Sequence, residues 1–460
     1  MTLDEIASVT GGRLVNAEPS VPVTGPVEYD SRKIGPGGLF VAFEGEKVDG
    51  HAFAAGAVAA GAAAVLSTRD TGQPGVVVGE PLAALARLAH AVVERLDDLV
   101  VVSLTGSSGK TTTKDYIGQL LSRLGPMIAP AGSLNNELGF PWTVLQATTE
   151  TRFLVLEMGA RAVGHIRYLT EIARPQIGVV LNIGVAHIGL FGSAEGIALA
   201  KGEVVEALPG DGVAVLNADD PLVAAMASRT KARVLLVGEG PEAAVRATGV
   251  TLDSGSRAAY LLSAGGRSGE VRLRVAGRHQ VANTLAAAGV ALSLGMAFDD
   301  VVGALGEIGI VSSRRMDVFQ RPDGVTVIDD TYNANPSSTA AALHTLATMA
   351  EGRRTTAVLG YMAELGDYER AGHEQVGRLA AELGVDRLVA VADNARPILD
   401  GAGGVEGWSG EAVFAADQAA AIEIVTTDLR PGDIVLVKGS RYRTWDVVDA
   451  LRPRAEGERR

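Results

Sequence analysis

The sequence predicts an α/β protein of three domains, and three observations carry that prediction. The chain has 460 residues, about three times the roughly 150 that one domain commonly takes. Continuous Val/Ile/Leu runs recur along it with helical stretches between them, as expected of parallel strands buried on both faces and joined by crossover helices. One of these runs, LVVVSL (99–104), opens directly into TGSSGKTTTK (105–114), which sets glycines, hydroxyls and a cation at a strand end.

The first 98 residues hold short segments, a Gly/Pro-rich turn (IGPGGLF, 34–40) and an Ala-rich helical stretch. They read as a small N-terminal α/β domain, 1–98. A strand series then runs through LVVVSL, FLVLEM (153–158), IGVVLNIG (177–184), VAVLN (213–217) and VLLVG (234–238). This is a central domain, 99–314, with a parallel sheet of the mononucleotide-binding, phosphate-loop type. In DYIGQLLSRLG (115–125), Ile117, Leu120, Leu121 and Leu124 fall on one helical face, and Gly125-Pro126 ends the helix. A second series, VTVIDD (325–330), TAVLG (356–360), LVAVAD (388–393) and IVLVKG (434–439), marks a C-terminal Rossmann-like domain, 315–460. The boundary falls at VSSRRMD, and the tail RPRAEGERR (452–460) is expected to fray.

Composition narrows the partners. Net charge is −13 at pH 7, which argues against a nucleic-acid groove or an anionic membrane surface. Local lysines and helix N-termini can still hold phosphate. With no cysteine, disulfides, thiolate catalysis and cysteine-ligated metals are excluded. The N-terminus MTLDEIASVTGGRL lacks a basic segment followed by an apolar one. The run AAGAVAAGAAAVL (54–66) is shorter than the roughly 18 residues that span a bilayer. The expectation is a soluble cytoplasmic protein.

The glycine-rich turn is built for phosphate, because its N–H groups point outward and the helix dipole favours an anion. Gly106, Ser107, Ser108, Gly109 and Thr112 would cradle the phosphates, Lys110 would reach the terminal ones, and Thr111 would offer its hydroxyl to Mg²⁺. The full Walker spacing wants a glycine where Leu104 stands, so the match is G-x-x-G-K-T. The plain alternative is a helix N-cap turn that happens to contain a lysine.

Other polar residues stand at strand ends. Glu157 closes FLVLE, where a metal-holding carboxylate belongs; the alternative is an exposed strand-end acid. His187 follows another strand, in LNIGVAHIGLFGS. Lys201, in a helical stretch (SAEGIALAKGEVVEAL), reads by pattern as a solvated charge. VIDDTYNANPSS (327–338) sets Asp330, Asn333 and Asn335 on the face where open α/β sheets bind ligands. VKGSR (437–441), with Lys438, Ser440 and Arg441, suggests a carboxylate or phosphate contact, against a solvated basic loop.

Taken together, TGSSGKTTTK, SLNNELGFPWTVL (133–145), LEMGA (156–160), NIGVAHIGLFGS (182–193) with ALAKGE (198–203), DDTYNANP (329–336), LGYMAELGD (359–367) and VKGSR resemble the Mur ligases over nearly the whole chain. These are ATP-dependent amino-acid ligases of bacterial peptidoglycan synthesis. DDTYNANP and LGYMAELG resemble the branch whose substrates are UDP-MurNAc-tripeptide and D-Ala-D-Ala. The resemblance implies an amide ligase working through an acyl phosphate, with ATP and two Mg²⁺. It implies that Lys110 binds the β and γ phosphates, that Thr111 and Glu157 hold one Mg²⁺ and His187 a second, and that Lys201 is a carbamate. It further implies a base contact by Asn283, contacts from Arg315 and Asp330 to ATP phosphates and ribose, and a uridine-nucleotide segment containing Ser31, Arg32, Asp49 and His51. Asn135 and Asn136 fall with the substrate-binding positions, and a monomer is expected. Domain closure would keep water from the acyl phosphate.

Two other readings stand beside this one. The first is a different amide ligase of the same architecture, either the third-residue Mur ligase, whose DNPR motif has DNAR (393–396) as its nearest string here, or a folylpolyglutamate-type enzyme. The second is a nucleotide-hydrolysing switch protein, although no N-K-x-D-like guanine motif is found.

Overall fold

The computed structural model describes all residues except 46, 185–187, 440–443 and 454–460. The chain builds three sheets in succession. The first has five strands in the spatial order Arg13–Val15, Gly75–Val77, Ala64–Ser67, Leu39–Val41 and Val27–Glu28, parallel except for the first. The Ala-rich stretch at 54–66 splits into a short helix, Ala54–Ala59, and the strand that starts at Ala64.

The second sheet has nine strands. Val100–Thr105 lies inside it, paired in parallel with Phe153–Glu157 on one side and Ile177–Val180 on the other. Beyond Ile177–Val180 come Val213–Asn217, Arg233–Gly238 and Val245–Leu252, also parallel. Successive residues of one strand serve opposite cores. Val102 and Leu104 pack with Val155, Val179 and Val215, whereas Val101 packs with Leu154, Leu156, Val180 and Leu216. Both faces of the strand are therefore buried, which explains why its sequence is continuously apolar.

An all-parallel central sheet needs correction at its far edge. Arg257–Ala264 and Arg267–Ala276 extend it as an antiparallel hairpin. The turn is Gly265-Gly266, both with positive φ (58° and 77°), the conformation that two-residue hairpins require.

The third sheet has the order Asp317–Gln320, Thr326–Asp330, Ile434–Lys438, Thr355–Gly360, Arg387–Val391, Glu411–Ala415. It is parallel apart from the antiparallel first strand. Register places Asp330 beside Lys438.

The N-terminal and central sheets share apolar packing. Ala86 and Ala89, on the helix Pro81–Val93, join the core of Phe140, Val144 and Ile166. In return Leu138, Trp142 and Leu145 pack against the N-terminal core, and Trp142 Nε1 donates to the Val27 carbonyl at 2.9 Å. Among the described residues, no helix is long and apolar enough to cross a membrane.

Candidate active site

The strand Val100–Thr105 delivers the chain into the turn, and the helix Lys110–Leu121 leaves it. Gly109 has φ 79°, and a Cβ there would lie 2.5 Å from the Asn283 carboxamide oxygen, so only glycine fits. The helix has no side-chain cap, which leaves its first N–H groups for a ligand. The loop is braced from behind. Ser108 N–H donates to Asn182 Oδ1 (2.9 Å), Ser107 N–H to the Asn182 carbonyl (3.0 Å), and Gly184 N–H to Ser107 Oγ (2.9 Å).

Strand register sets Glu157 opposite Leu104, one residue before the turn. Its carboxylate is buried, 3% exposed. It accepts from Thr111 Oγ1 on one oxygen and from Ser133 Oγ and Asn135 Nδ2 on the other, each at 2.7 Å. The exposed-acid alternative is thereby removed. Asn136 Oδ1 accepts from Gly139 N–H (2.8 Å) and so fixes the turn that presents Ser133 and Asn135.

The reading of Lys201 as a solvated charge is overturned. Its side chain points inward from the helix Ala194–Glu206 and the residue is 3% exposed. Its Nζ donates to the Gly106 carbonyl at 3.1 Å, the same oxygen that accepts from Lys110 Nζ at 2.9 Å. Burial, and after it the Lys110 charge, hold the Lys201 amine well below its ordinary pKa. Burial also lowers Lys110, against the opposing pull of Glu157. The pattern could not show this, because the helix buries both a small-residue face and the lysine face.

The C-terminal sheet closes the other side of a cleft of about 430 Å³. Arg315 reaches across it, with Nη2 donating to Thr111 Oγ1 at 3.0 Å and its guanidinium 3.9 Å from the Tyr332 ring centroid. Arg315 Nε is buried and has no hydrogen-bond partner among the described residues, as suits a group waiting for an anion. Asp330 Oδ1 accepts from Met316 N–H (3.2 Å), and its other oxygen pairs with the buried Lys438 ammonium. Lys438 also donates to the Asn333 carbonyl at 2.9 Å. Asn335 caps the helix Pro336–Ala350, accepting from Ser338 N–H at 2.9 Å. Gly109, Thr112, Asn283, Asn333 and Asn335 all line the cleft.

Three models of one family divide the chain. One described as Mur ligase family, catalytic domain, matches 26–97. The Mur ligase middle domain matches 104–291, and the Mur ligase glutamate ligase domain matches 314–441. The UDP-N-acetylmuramoyl-tripeptide–D-alanyl-D-alanine ligase of Mycobacterium tuberculosis H37Rv is 48% identical over 496 residues, covering 98% of this chain and 97% of that protein. This chain belongs to the Mur ligase family. The Escherichia coli K12 protein of the same name is 36% identical, with 98% of each covered. Among solved structures, MurF from Acinetobacter baumannii superposes with a TM-score of 0.86 at 34% identity, covering 98% of each chain. MurF ligase from Thermotoga maritima in complex with ADP gives 0.80 at 28% identity, covering 93% of this chain and 97% of that one.

The remaining Mur ligase candidates lie apart from the cleft or outside the description. His187, Ser440 and Arg441 fall outside the described residues. Ser31 and the exposed Arg32 lie in the N-terminal domain, where Arg32 pairs with Asp30 at 2.8 Å. His51 is buried: its Nε2 accepts from Thr68 N–H (3.1 Å), so Nδ1 carries the proton given to Asp49 Oδ1 (2.6 Å). Asp49 also pairs with Arg69. These bonds tie Asp49 and His51 into the domain's own fold. Sequence reasoning missed Ser133, Asn182, His279 and Tyr332, all of which line the cleft. SLNNELG, containing Ser133, was a signal in plain view.

Proposed function

We propose that this Mur ligase joins D-alanyl-D-alanine to UDP-MurNAc-tripeptide at the expense of ATP, giving the UDP-MurNAc-pentapeptide of peptidoglycan synthesis. The observation that carries the reading is the cleft itself. A phosphate loop and a buried carboxylate on the central sheet face Asp330 and Lys438 on the C-terminal one and Arg315 just before its first strand. The full-length likeness to ligases of that name supports it.

ATP lies with its phosphates on Gly106–Thr112, Lys110 against the β and γ groups, and Asn283 and Asp330 toward the nucleoside. A tripeptide carboxylate oxygen attacks the γ-phosphorus in line and ADP leaves, so the barrier falls by positioning and charge rather than by covalent help from the protein. The amine of D-Ala-D-Ala then attacks the acyl carbon, the amide forms, and phosphate departs. Arg315 and Lys438 stand where charge builds on the oxyanion.

Thr111 Oγ1 and the Glu157 carboxylate, 2.7 Å apart, are hard oxygen donors suited to one Mg²⁺, and His187 with a carbamylated Lys201 would hold a second. Bound there, the metals neutralise phosphate charge. A buried amine with a depressed pKa is the species that adds CO₂, which supports the carbamate. Ser31 and Arg32 face the uridine nucleotide, and Asp49 and His51 shape that loop. Asn135, Asn136, Asn333, Asn335, Ser440 and Arg441 serve the peptide. The reading makes the enzyme a cytoplasmic monomer acting on soluble nucleotide-linked substrates.

The test is phosphate release from ATP and Mg²⁺ with UDP-MurNAc-tripeptide, with and without D-Ala-D-Ala, and a mass measurement on the product. Release that needs both substrates, with one dipeptide added, is expected. Release with neither, or addition of a single amino acid, overturns the reading.

A further inference from the structure

The linker into the C-terminal domain is held by two owners. Upstream, the phosphate-loop helix holds it. Gln119 Nε2 donates to the Gly309 carbonyl at 3.0 Å, and Gly309 N–H donates back to Gln119 Oε1 at 2.9 Å. One turn nearer the loop, Asp115 Oδ2 accepts from Ser312 N–H at 3.0 Å. Ser312 Oγ in turn accepts from Gly132 N–H at 2.9 Å. Lys114 fastens the same segment, with Nζ donating to the carbonyls of Gly132 (2.8 Å) and Pro130 and pairing with Asp115 (3.0 Å), both side chains buried. That segment leads into Ser133 and Asn135, which hold Glu157.

Downstream, the C-terminal domain is the owner. The Arg314 carbonyl accepts from Tyr332 N–H (3.2 Å), the Arg314 guanidinium reaches Asp449 (3.1 Å), and Met316 N–H donates to Asp330. Ownership changes across Ser313. The backbone there is unusual: Arg314 and Met316 have φ of 62° and 53°, a left-handed conformation that side chains other than glycine adopt at a cost. Between them stands Arg315, which turns back to Thr111.

We propose that Gln119 and Asp115 are positioning residues for the ligation reaction. They clamp residues 309–312 to the helix that carries the phosphate loop, so the C-terminal domain swings about Ser313 and Arg315, two residues on, comes to rest on Thr111. Arg315 is thereby referenced to the phosphates through one helix, with only Ser313 and Arg314 between the clamp and it. The inference rests on the ligase reading above.

The test is a double-mutant cycle on the full chain, reading kcat and KM for ATP with product formed. Gln119→Met keeps the size of the side chain and removes both hydrogen bonds to Gly309. It should lower kcat about tenfold, as expected of a displaced charge-bearing group, and leave KM for ATP within about twofold. In an Arg315→Ala background, followed in single turnovers, Gln119→Met should lower the rate less than about twofold, because the group it positions is gone. Equal fold losses in both backgrounds, or a Gln119→Met kcat within about twofold of wild type, overturn the proposal. If Gln119→Met does not fold, Gln119→Glu, which keeps the acceptor and loses the donor, replaces it with the same criteria. If Arg315→Ala is too slow to follow, dyes on Glu150→Cys and Glu406→Cys read closure instead; the chain has no other thiol. With a non-hydrolysable ATP analogue, the wild-type distance distribution should be narrow and that of the Gln119 variant broad; identical distributions overturn the proposal. Wild-type protein that forms no dipeptide-extended product would fail the ligase reading instead, which separates the two.

Discussion

Two glycines from different domains meet edge to edge, and their closeness can be turned into a rate. Gly189 lies on the short helix Ile188–Phe191 of the central domain, and Gly366 lies in the C-terminal domain. A Cβ built on Gly189 would stand 2.5 Å from Gly366 N and 2.7 Å from its Cα. Ordinary contact begins near 3.4 Å, so Gly189→Ala forces a retreat of about 0.9 Å. Every atom involved is backbone, and no rotamer change can absorb it. Carried through the C-terminal domain to Arg315, a retreat of that size stretches its 3.0 Å bond to Thr111 beyond hydrogen-bonding range. Misplacement by about 1 Å is worth about a hundredfold in rate, or about 2.7 kcal/mol of barrier. Gly189→Ala should therefore lower kcat about a hundredfold while ADP binding to the phosphate loop stays near wild type. Folding stability should hold or rise slightly, because alanine is favoured over glycine in a helix by about 0.5–1 kcal/mol. The assay is coupled phosphate release with all substrates saturating, beside ADP titration calorimetry. A kcat within about threefold of wild type would refute the reasoning, since the domains would then close without this contact.

Other outcomes follow from the same geometry. Among the described residues, Lys438→Met leaves the buried Asp330 carboxylate with only the Met316 N–H, and should cost about 3 kcal/mol in urea unfolding; adding Asp330→Asn should recover at least half of it. The Lys201 amine lies below its ordinary pKa, so its neutral form persists to lower pH than that of an exposed lysine. Carbamylation, read by ¹³C NMR in labelled bicarbonate, should disappear as pH falls through the lowered pKa and return on raising it, and CO₂-free buffer should lower kcat; a bicarbonate-insensitive enzyme with no carbamate signal would count against it. Trp142→Phe removes the bond to the Val27 carbonyl and should weaken the N-terminal domain by about 1 kcal/mol, seen as its earlier loss in urea; an unchanged transition would show that the bond contributes nothing.

What the letters disclosed follows from where the information resides. The phosphate loop was legible because strand, turn and helix are contiguous and each has a local rule. The parallel strands were legible because burial on both faces writes itself as unbroken Val/Ile/Leu. The hairpin Arg257–Ala276 went unread because one face is exposed: Tyr260 and Leu262 are buried, while Leu261 is 44% exposed and charged residues intervene. Its Gly-Gly turn was the available signal. The burial of Lys201 is a tertiary fact, made in part by Gly106, 95 residues upstream, and by Lys110 beside it, and no window on the helix contains it. The Arg315–Thr111 bond spans two domains and is equally absent from local pattern. Asn335 showed the reverse difficulty, since a capping asparagine and a ligand-binding one look alike in letters, and here it caps a helix while lining the cleft.

The interleaved packing of Trp142, Leu138 and Leu145 with the first domain, and of Ala86 and Ala89 with the second, makes a caliper of this half of the molecule. One jaw is the N-terminal face where the nucleotide-sugar end is proposed to sit, and the other is the phosphate loop. With the gap between them held by a common core, the ligase reading implies that a stem peptide would be gauged by its length, one residue too few leaving its carboxylate short of the γ-phosphate. On that reading the chain length would be set by a frame that does not bend.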